Sequence, residues 1–291
     1  MRTIAISICA LMAISCTRTE ELDIQGHRGA RGLFPENTIP GFKGALDLGV
    51  QTLELDVVVS SEGLIVVSHE PWLNPEICLD PEGNVIPEGE GRKWNLFEMT
   101  YDSIAQCDCG MRPHPRFPDQ IHYPAHKPLL SEVIDSMETH ARETQRELPY
   151  YNIELKTVPL AEGIWNPSPI GFCALVRKVI QEKGIADRTI IQSFDTEILE
   201  NMHRIFPQMR ISLLVENQDP YMALDSLSFQ PNILSPDQTL LTEELISEMH
   251  DRGMKVIPWT VNDPGSAKRL IEWGVDGLIT DYPDRIPPAD H

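Results

Sequence analysis

The amino-acid sequence predicts an α/β protein, a (β/α)8 TIM barrel, on three observations. From residue 23 onward, eight short apolar runs of strand composition alternate with helix-like segments, each long enough to cross between parallel strands. Several of the helix-like segments open at Pro, Thr or Asp and close at Gly, the start and stop signals of helices. The chain has 291 residues, 41% of them hydrophobic, which fits one large globular domain, or two small ones, with ample core. A doubly wound open sheet is the alternative arrangement of the same alternation.

The first fifteen residues stand outside that rhythm. Met1-Arg2 is a short positive start, Thr3 to Ile14 is an almost uncharged apolar run, and Ala13-Ile14-Ser15-Cys16 ends it. The pattern predicts a signal peptide over 1–15, too short to span a membrane. Its cysteine end resembles a bacterial lipoprotein signal. That implies a lipidated Cys16 with a short linker over 16–22, and a protein tethered to the cell envelope, periplasmic or surface-facing; plain secretion is the alternative. The barrel domain then covers 23–287.

The first strand, 23–27, runs into "GHRGARGLFPENT". Gly26, Gly29 and Gly32 let the backbone turn tightly, but their spacing fits neither a dinucleotide fingerprint nor a phosphate loop. His27-Arg28 thus puts a proton carrier beside a fixed cation at a strand end; a solvated turn is the other reading of this stretch. Glu36-Asn37-Thr38 precedes the helix in "IPGFKGALDLG" and offers Asn37 or Thr38 as its N-cap. The second strand is "TLELDVVV", 52–59. "LIVVSH", 64–69, follows after a hairpin-length turn and extends that strand as a hairpin. Residues 71 to about 128 are irregular and rich in Pro, Gly and acidic side chains, the mark of a lid over the active-site face. Further strands are predicted at 150–155, 189–194, 210–215, 232–235, 255–261 and 277–280, with amphipathic helical segments between them.

In a parallel barrel the site forms at the strands' C-terminal ends, from inward-facing alternate residues. Glu54 and Asp56 share one face of their strand, as do Glu154 and Lys156 of the next. Charged pairs on apolar strands are costly unless they bind one another or a metal. Glu54, Asp56 and Glu154 would make an oxygen cage for a hard divalent cation, Ca2+ or Mg2+; an ion-pair network around Lys156 is the metal-free alternative. His27 and His69 flank this cluster and suit acid/base work. Arg28 and Lys156 supply positive charge for a phosphoryl group. Together these groups suit hydrolysis at phosphorus. A glycosidase pair of Glu54 and Glu154 would leave the histidines and Arg28 unexplained.

The formal net charge of −20 argues against nucleic-acid binding, and no basic patch offsets it. His114, His122 and His126 lie in the lid without metal-ligand spacing and are expected at the surface. "MRPHPRFP", 111–118, is expected to be a solvated lid loop. Cys78 can bridge to Cys107 or Cys109 in an oxidising compartment. Cys173, in a helical pattern, is expected in the core.

The segment "GHRGARGLFPENTIPGFKGALDLGVQTLELDVVVSSEGLIVVSHEP", with "IELK", "IIQSF", "VIPWTVN" and "VDGLITDYP", resembles the glycerophosphodiester phosphodiesterase family over about 23–287. The resemblance implies a metal-dependent barrel enzyme that cleaves glycerophosphodiesters to sn-glycerol 3-phosphate and an alcohol. It implies Glu54, Asp56 and Glu154 as metal ligands and His27 and His69 as the acid/base pair, with His69 protonating the leaving group. It further implies phosphate contacts from Arg28 and Lys156, and packing of Trp259 against the glycerol. Trp259 shares parity with Ile257 and Val261, although a core tryptophan would too, and Gln192 has inward parity and is expected to line the pocket. Asp281, at a strand end, could fix a loop by hydrogen bonds. The same site could serve a phospholipase D-like hydrolase of lysophospholipids or sphingolipids, but the lid is only modestly apolar. A non-catalytic organophosphate-binding lipoprotein is disfavoured because no histidine or carboxylate of the set is missing.

Overall fold

The computed structural model describes residues 22–158 and 160–286. The signal segment, Cys16, nearly all of the linker and residue 287 lie outside the described residues. Strands form at Asp23–Gly26 (β1), Thr52–Val59 (β2), Ile65–Val67 (β3), Tyr150–Leu155 (β4), Thr189–Ser193 (β5), Arg210–Val215 (β6), Ile233–Pro236 (β7), Lys255–Val256 (β8) and Gly277–Thr280 (β9). All but β3 run parallel, in the order β8-β7-β6-β5-β4-β2-β1-β9. Backbone hydrogen bonds close the ring: Asp276 donates to Val256 and Ile279 to Pro258, each at 3.0 Å, and Val261 donates to Ile279 at 2.9 Å. The result is the (β/α)8 TIM barrel the alternation predicted.

Helices form at Ile39–Asp47 (α1), Tyr101–Ile104 (α2), Leu130–Glu143 (α3), Pro169–Lys183 (α4), Thr196–Ile205 (α5), Pro220–Asp225 (α6), Glu243–Asp251 (α7) and Pro264–Glu272 (α8). Thr38 is the N-cap of α1, its hydroxyl accepting from the Gly41 amide. Among the described residues no helix is long and apolar enough to cross a membrane. The main core lies between strands and helices; β2 sends Leu53, Leu55, Val57 and Val59 into it, so Glu54 and Asp56 point to the barrel axis. Cys173 is in this core, as expected. Inside the barrel, Ile190, Ile233, Ile257 and Ile279 form a small apolar floor beneath Trp259.

Two elements differ from expectation. Regular pairing in β8 ends at Val256, short of residue 261, because Pro258 has no N–H to give. The chain beyond is irregular, and Val261 packs into the outer core instead of sharing the inner face of Ile257 and Trp259. The insertion is also better built than a loop. β3 pairs antiparallel with β2 as the predicted hairpin, and Leu73, Ile77, Ile86, Leu96 and Ile104 then pack a second core against Val58 and Val66. A disulfide joins Cys78 to Cys109, while Cys107 stays a buried thiol.

Candidate active site

Register assembles the carboxylates. β2 and β4 pair with Asp56 opposite Glu154, so alternate residues on two neighbouring strands bring Glu54, Asp56 and Glu154 together. One oxygen from each lies within 4.8 Å of the others, and all three residues are buried. Burial and the charges of Asp56 and Glu154 push the Glu54 carboxyl well above its ordinary range. Burial opposes the Asp56 charge, but Lys156 and Arg28 outweigh it and hold that carboxyl well below the usual range. Asp56 Oδ1 makes no hydrogen bond. Three converging oxygen donors, one without a hydrogen bond and one crowded by negative charge, fit a divalent cation. Lys156 Nζ stands 2.7 Å from Glu154 Oε1 and 3.2 Å from Asp56 Oδ1, so the expected ion-pair network is built at the same place.

A layer of amides supports the cluster from within the barrel. Asn152 donates to Gln25 at 2.7 Å and to Gln192 at 3.0 Å, and Gln192 in turn donates to Glu54 Oε1 at 2.8 Å. These bonds fix Glu54 from below.

The turn after β1 aims His27 and Arg28. The His27 amide donates to Thr280 O at 2.8 Å, and the chain then passes through three left-handed residues, Arg28, Gly29 and Ala30, with φ of 51°, 76° and 60°. A Cβ on Gly29 would come within 2.9 Å of the Phe42 ring, so only glycine fits the centre. The outer two are strained at roughly 1–3 kcal/mol each. Their strain is held by contacts: the Arg28 amide donates to Glu54 Oε2 at 2.9 Å, and its guanidinium lies 3.1 Å from Glu36 and 3.2 Å from Asp56. Its charge is therefore shared with buried acids before any phosphate arrives.

His27 Nδ1 lies 2.6 Å from Asp281 Oδ1. Burial, joined by the Arg31 charge, lowers the His27 pKa to about 4. Burial opposes the Asp281 charge, but His27 and Arg31 hold its carboxyl well below the usual range. An ionised Asp281 only accepts, so neutral His27 donates Nδ1–H and keeps its Nε2 lone pair, 4.0 Å from Glu54, for the site. His69 is half-buried and its Nδ1 is 2.9 Å from Glu70 Oε1. Trp259 Nε1 donates to Ser235 O at 2.9 Å, and its ring meets Phe194 edge-on at 5.4 Å. His27, Arg28, His69, Lys156, Gln192 and Trp259 line one cavity of about 230 Å3, with Glu54 and Glu154 in its wall.

Residues 27–285 match the family model described as the glycerophosphoryl diester phosphodiesterase family. The chain belongs to this family. A glycerophosphodiester phosphodiesterase of Bacillus altitudinis is 28% identical over 267 residues, spanning 90% of this chain and 95% of that one. The crystal structure of a Silicibacter pomeroyi protein, provisionally named a glycerophosphoryl diester phosphodiesterase, is 32% identical with a TM-score of 0.82, covering 92% of each chain. An Oleispira antarctica phosphodiesterase, solved with the product sn-glycerol-3-phosphate, shares the fold at 22% identity and a TM-score of 0.71, over 91% of this chain and 95% of that one.

In this member of the glycerophosphoryl diester phosphodiesterase family, all the candidate catalytic, substrate-binding and metal residues read from the sequence line one cavity except Asp56, which lies 3.2 Å from the Arg28 guanidinium that does. Asp281 does fix a loop, but the loop it fixes is the one that carries His27. Arg31, which the sequence reading passed over, donates to the same Asp281 oxygen at 2.7 Å. Asn37, considered only as a cap, donates to Asp56 at 2.8 Å. His114 corrects an expectation: it is buried, 3.9 Å from Glu36 and edge-on to Phe117. The 111–118 segment keeps Met111, Pro113, Pro115, Arg116 and Pro118 exposed, as expected of a solvated loop, but is pinned at His114 and Phe117, the latter under the Arg31 guanidinium at 5.2 Å. Isolated apolar residues between prolines carry no periodicity, so the sequence holds no signal for that burial. His122 is half-buried and His126 exposed.

Proposed function

We propose that the protein hydrolyses glycerophosphodiesters to sn-glycerol 3-phosphate and an alcohol by histidine acid/base chemistry with a divalent cation. The observation that carries this is the convergence of His27, His69, Arg28, Lys156 and three carboxylates on a single cavity of the family barrel. Glu54, Asp56 and Glu154 would hold the cation, Ca2+ or Mg2+, which when bound supplies Lewis-acid polarisation of a phosphoryl oxygen. Arg28 and Lys156 balance the phosphate charge. His27 Nε2 accepts the proton of the nucleophile, with Asp281 fixing the ring and steadying the imidazolium that forms. His69, oriented by Glu70, gives a proton to the leaving alcohol, and Trp259 packs against the glycerol.

The test is release of sn-glycerol 3-phosphate from glycerophosphocholine by the purified protein. It is run with and without chelator, then with Ca2+ or Mg2+ restored. Release that stops with chelator and returns with one ion supports the proposal and identifies the ion. Release unaffected by chelator would remove the cation from it. The proposal also places the protein at the cell envelope through Cys16, on the strength of the signal-like start of the sequence.

A further inference from the structure

A second cavity, of about 270 Å3, opens beside the first and shares His69, Glu154, Lys156 and Phe194 with it. A phosphate lying between Lys156 and His69 borders both, so a diester bound there has an arm for each. His27, Arg28 and Trp259 line only the first cavity; Glu70, Trp72 and Asp195 line only the second. On the proposed function, His69 protonates the leaving oxygen, which puts the alcohol on the side where the second cavity begins.

The chemistry of that cavity differs from the first. Beyond the shared residues its charged side chains are Glu70 and Asp195, both acidic, and much of its wall is apolar: Pro71, Trp72, Leu155 and Val158. Glu70 Oε2 is shielded from solvent and has no hydrogen-bond partner, its other oxygen being taken by His69. Asp195 is held in place as the N-cap of α5 and by Thr157 Oγ1 at 2.8 Å. Trp72 is fixed by Trp165, edge-on at 5.3 Å, and by Arg92 at 4.9 Å from its ring. Carboxylates beside aromatic rings suit a small organic cation with an apolar shell. Glu70 already feels the charge of the buried Lys127, so Asp195 and Trp72 carry the preference: a cation gains from both, a neutral polyol gains less, and an acidic alcohol is repelled.

We propose that this second cavity binds the alcohol arm of the substrate and selects a cationic amino-alcohol such as choline. The inference rests on the phosphodiesterase reading and goes beyond it by naming the leaving group. Its test compares kcat/KM for glycerophosphocholine, glycerophosphoglycerol and glycerophosphoinositol, in wild type, Trp72→Leu and Asp195→Asn. Asn keeps the helix cap while removing the charge. The choline ester should lead the two polyol esters by about tenfold, and either variant should raise its KM by about fivefold. Their kcat/KM for glycerophosphoglycerol should stay within about twofold of wild type. Equal values for the three esters, or a loss in the variants shared by all of them, overturns the inference alone.

Calorimetric titration of the protein with choline chloride, under chelator, is an independent arm. If no ester is hydrolysed the phosphodiesterase reading falls, and this titration still decides the cation site: saturable heat absent from Trp72→Leu supports it, and no heat overturns it. Lysophosphatidylcholine carries the same head group, so running it beside glycerophosphocholine separates a lipid source of the cation from a soluble one.

Discussion

Asp281 is 254 residues from His27 in the chain and 2.6 Å from it in space, and contacts of that kind decide what each site residue can do. His27→Ala and His69→Ala are expected to lower kcat by about 10²–10⁴-fold while both variants still fold, the buried His27 losing more of its thermal midpoint than the half-buried His69. A folded variant that still turns over at the wild-type rate would remove that histidine from the acid/base pair. Glu36 makes a different prediction. Burial alone would raise its carboxyl, but Arg28 and Arg31 outweigh burial and bring it from 4.5 down to about 2. A carboxylate depressed on folding stabilises above its unfolded value, and that contribution is lost as pH falls through the folded one. The stability gap between wild type and Glu36→Gln should therefore be on the order of 3 kcal/mol at pH 7. It should narrow between pH 4.5 and about 2. Urea unfolding at a series of pH values measures it, and a gap that does not change with pH would show that Glu36 acts by packing alone.

At the scale of elements, the period of two along a strand made the carboxylate cluster legible, because Glu54 and Asp56 must share a face whatever surrounds them. Register with β4 then brings in Glu154. The short β8 was less legible, since one proline ends the pairing while the hydrophobic pattern runs on. The insertion was legible as irregular but not as packed. Its Cys78–Cys109 bridge closes a loop of 31 residues, which corresponds to on the order of 3–4 kcal/mol of denatured-state entropy. Replacing both cysteines by serine should lower the thermal midpoint and raise protease sensitivity first between residues 71 and 128. Unchanged melting and cleavage would mean that the second core holds the insertion by itself.

For the whole molecule, the alternation of eight apolar runs with helical crossovers was enough to predict the barrel, because a chain of parallel strands can bury both sheet faces in few ways. Closure between β8 and β9 follows from that architecture. Tethering is a prediction at this scale. Cys16→Ala should move the protein from the membrane fraction to the soluble fraction of its cells and abolish incorporation of labelled palmitate. Membrane recovery and labelling that survive the substitution would exclude Cys16 as the anchor.

The sequence by itself determined the barrel and the carboxylate faces, and it picked out His27, His69, Arg28 and Lys156 as candidates that the structure brings to one cavity. Those features follow from local periodicity and from the position of charged residues at strand ends. Only the tertiary structure decided which acid holds His27, that Arg28 is already paired with Glu36 and Asp56, that His114 is buried, and which cysteine Cys78 takes. Each of those depends on which distant segments meet around the barrel mouth, and no pattern within a single element records that meeting.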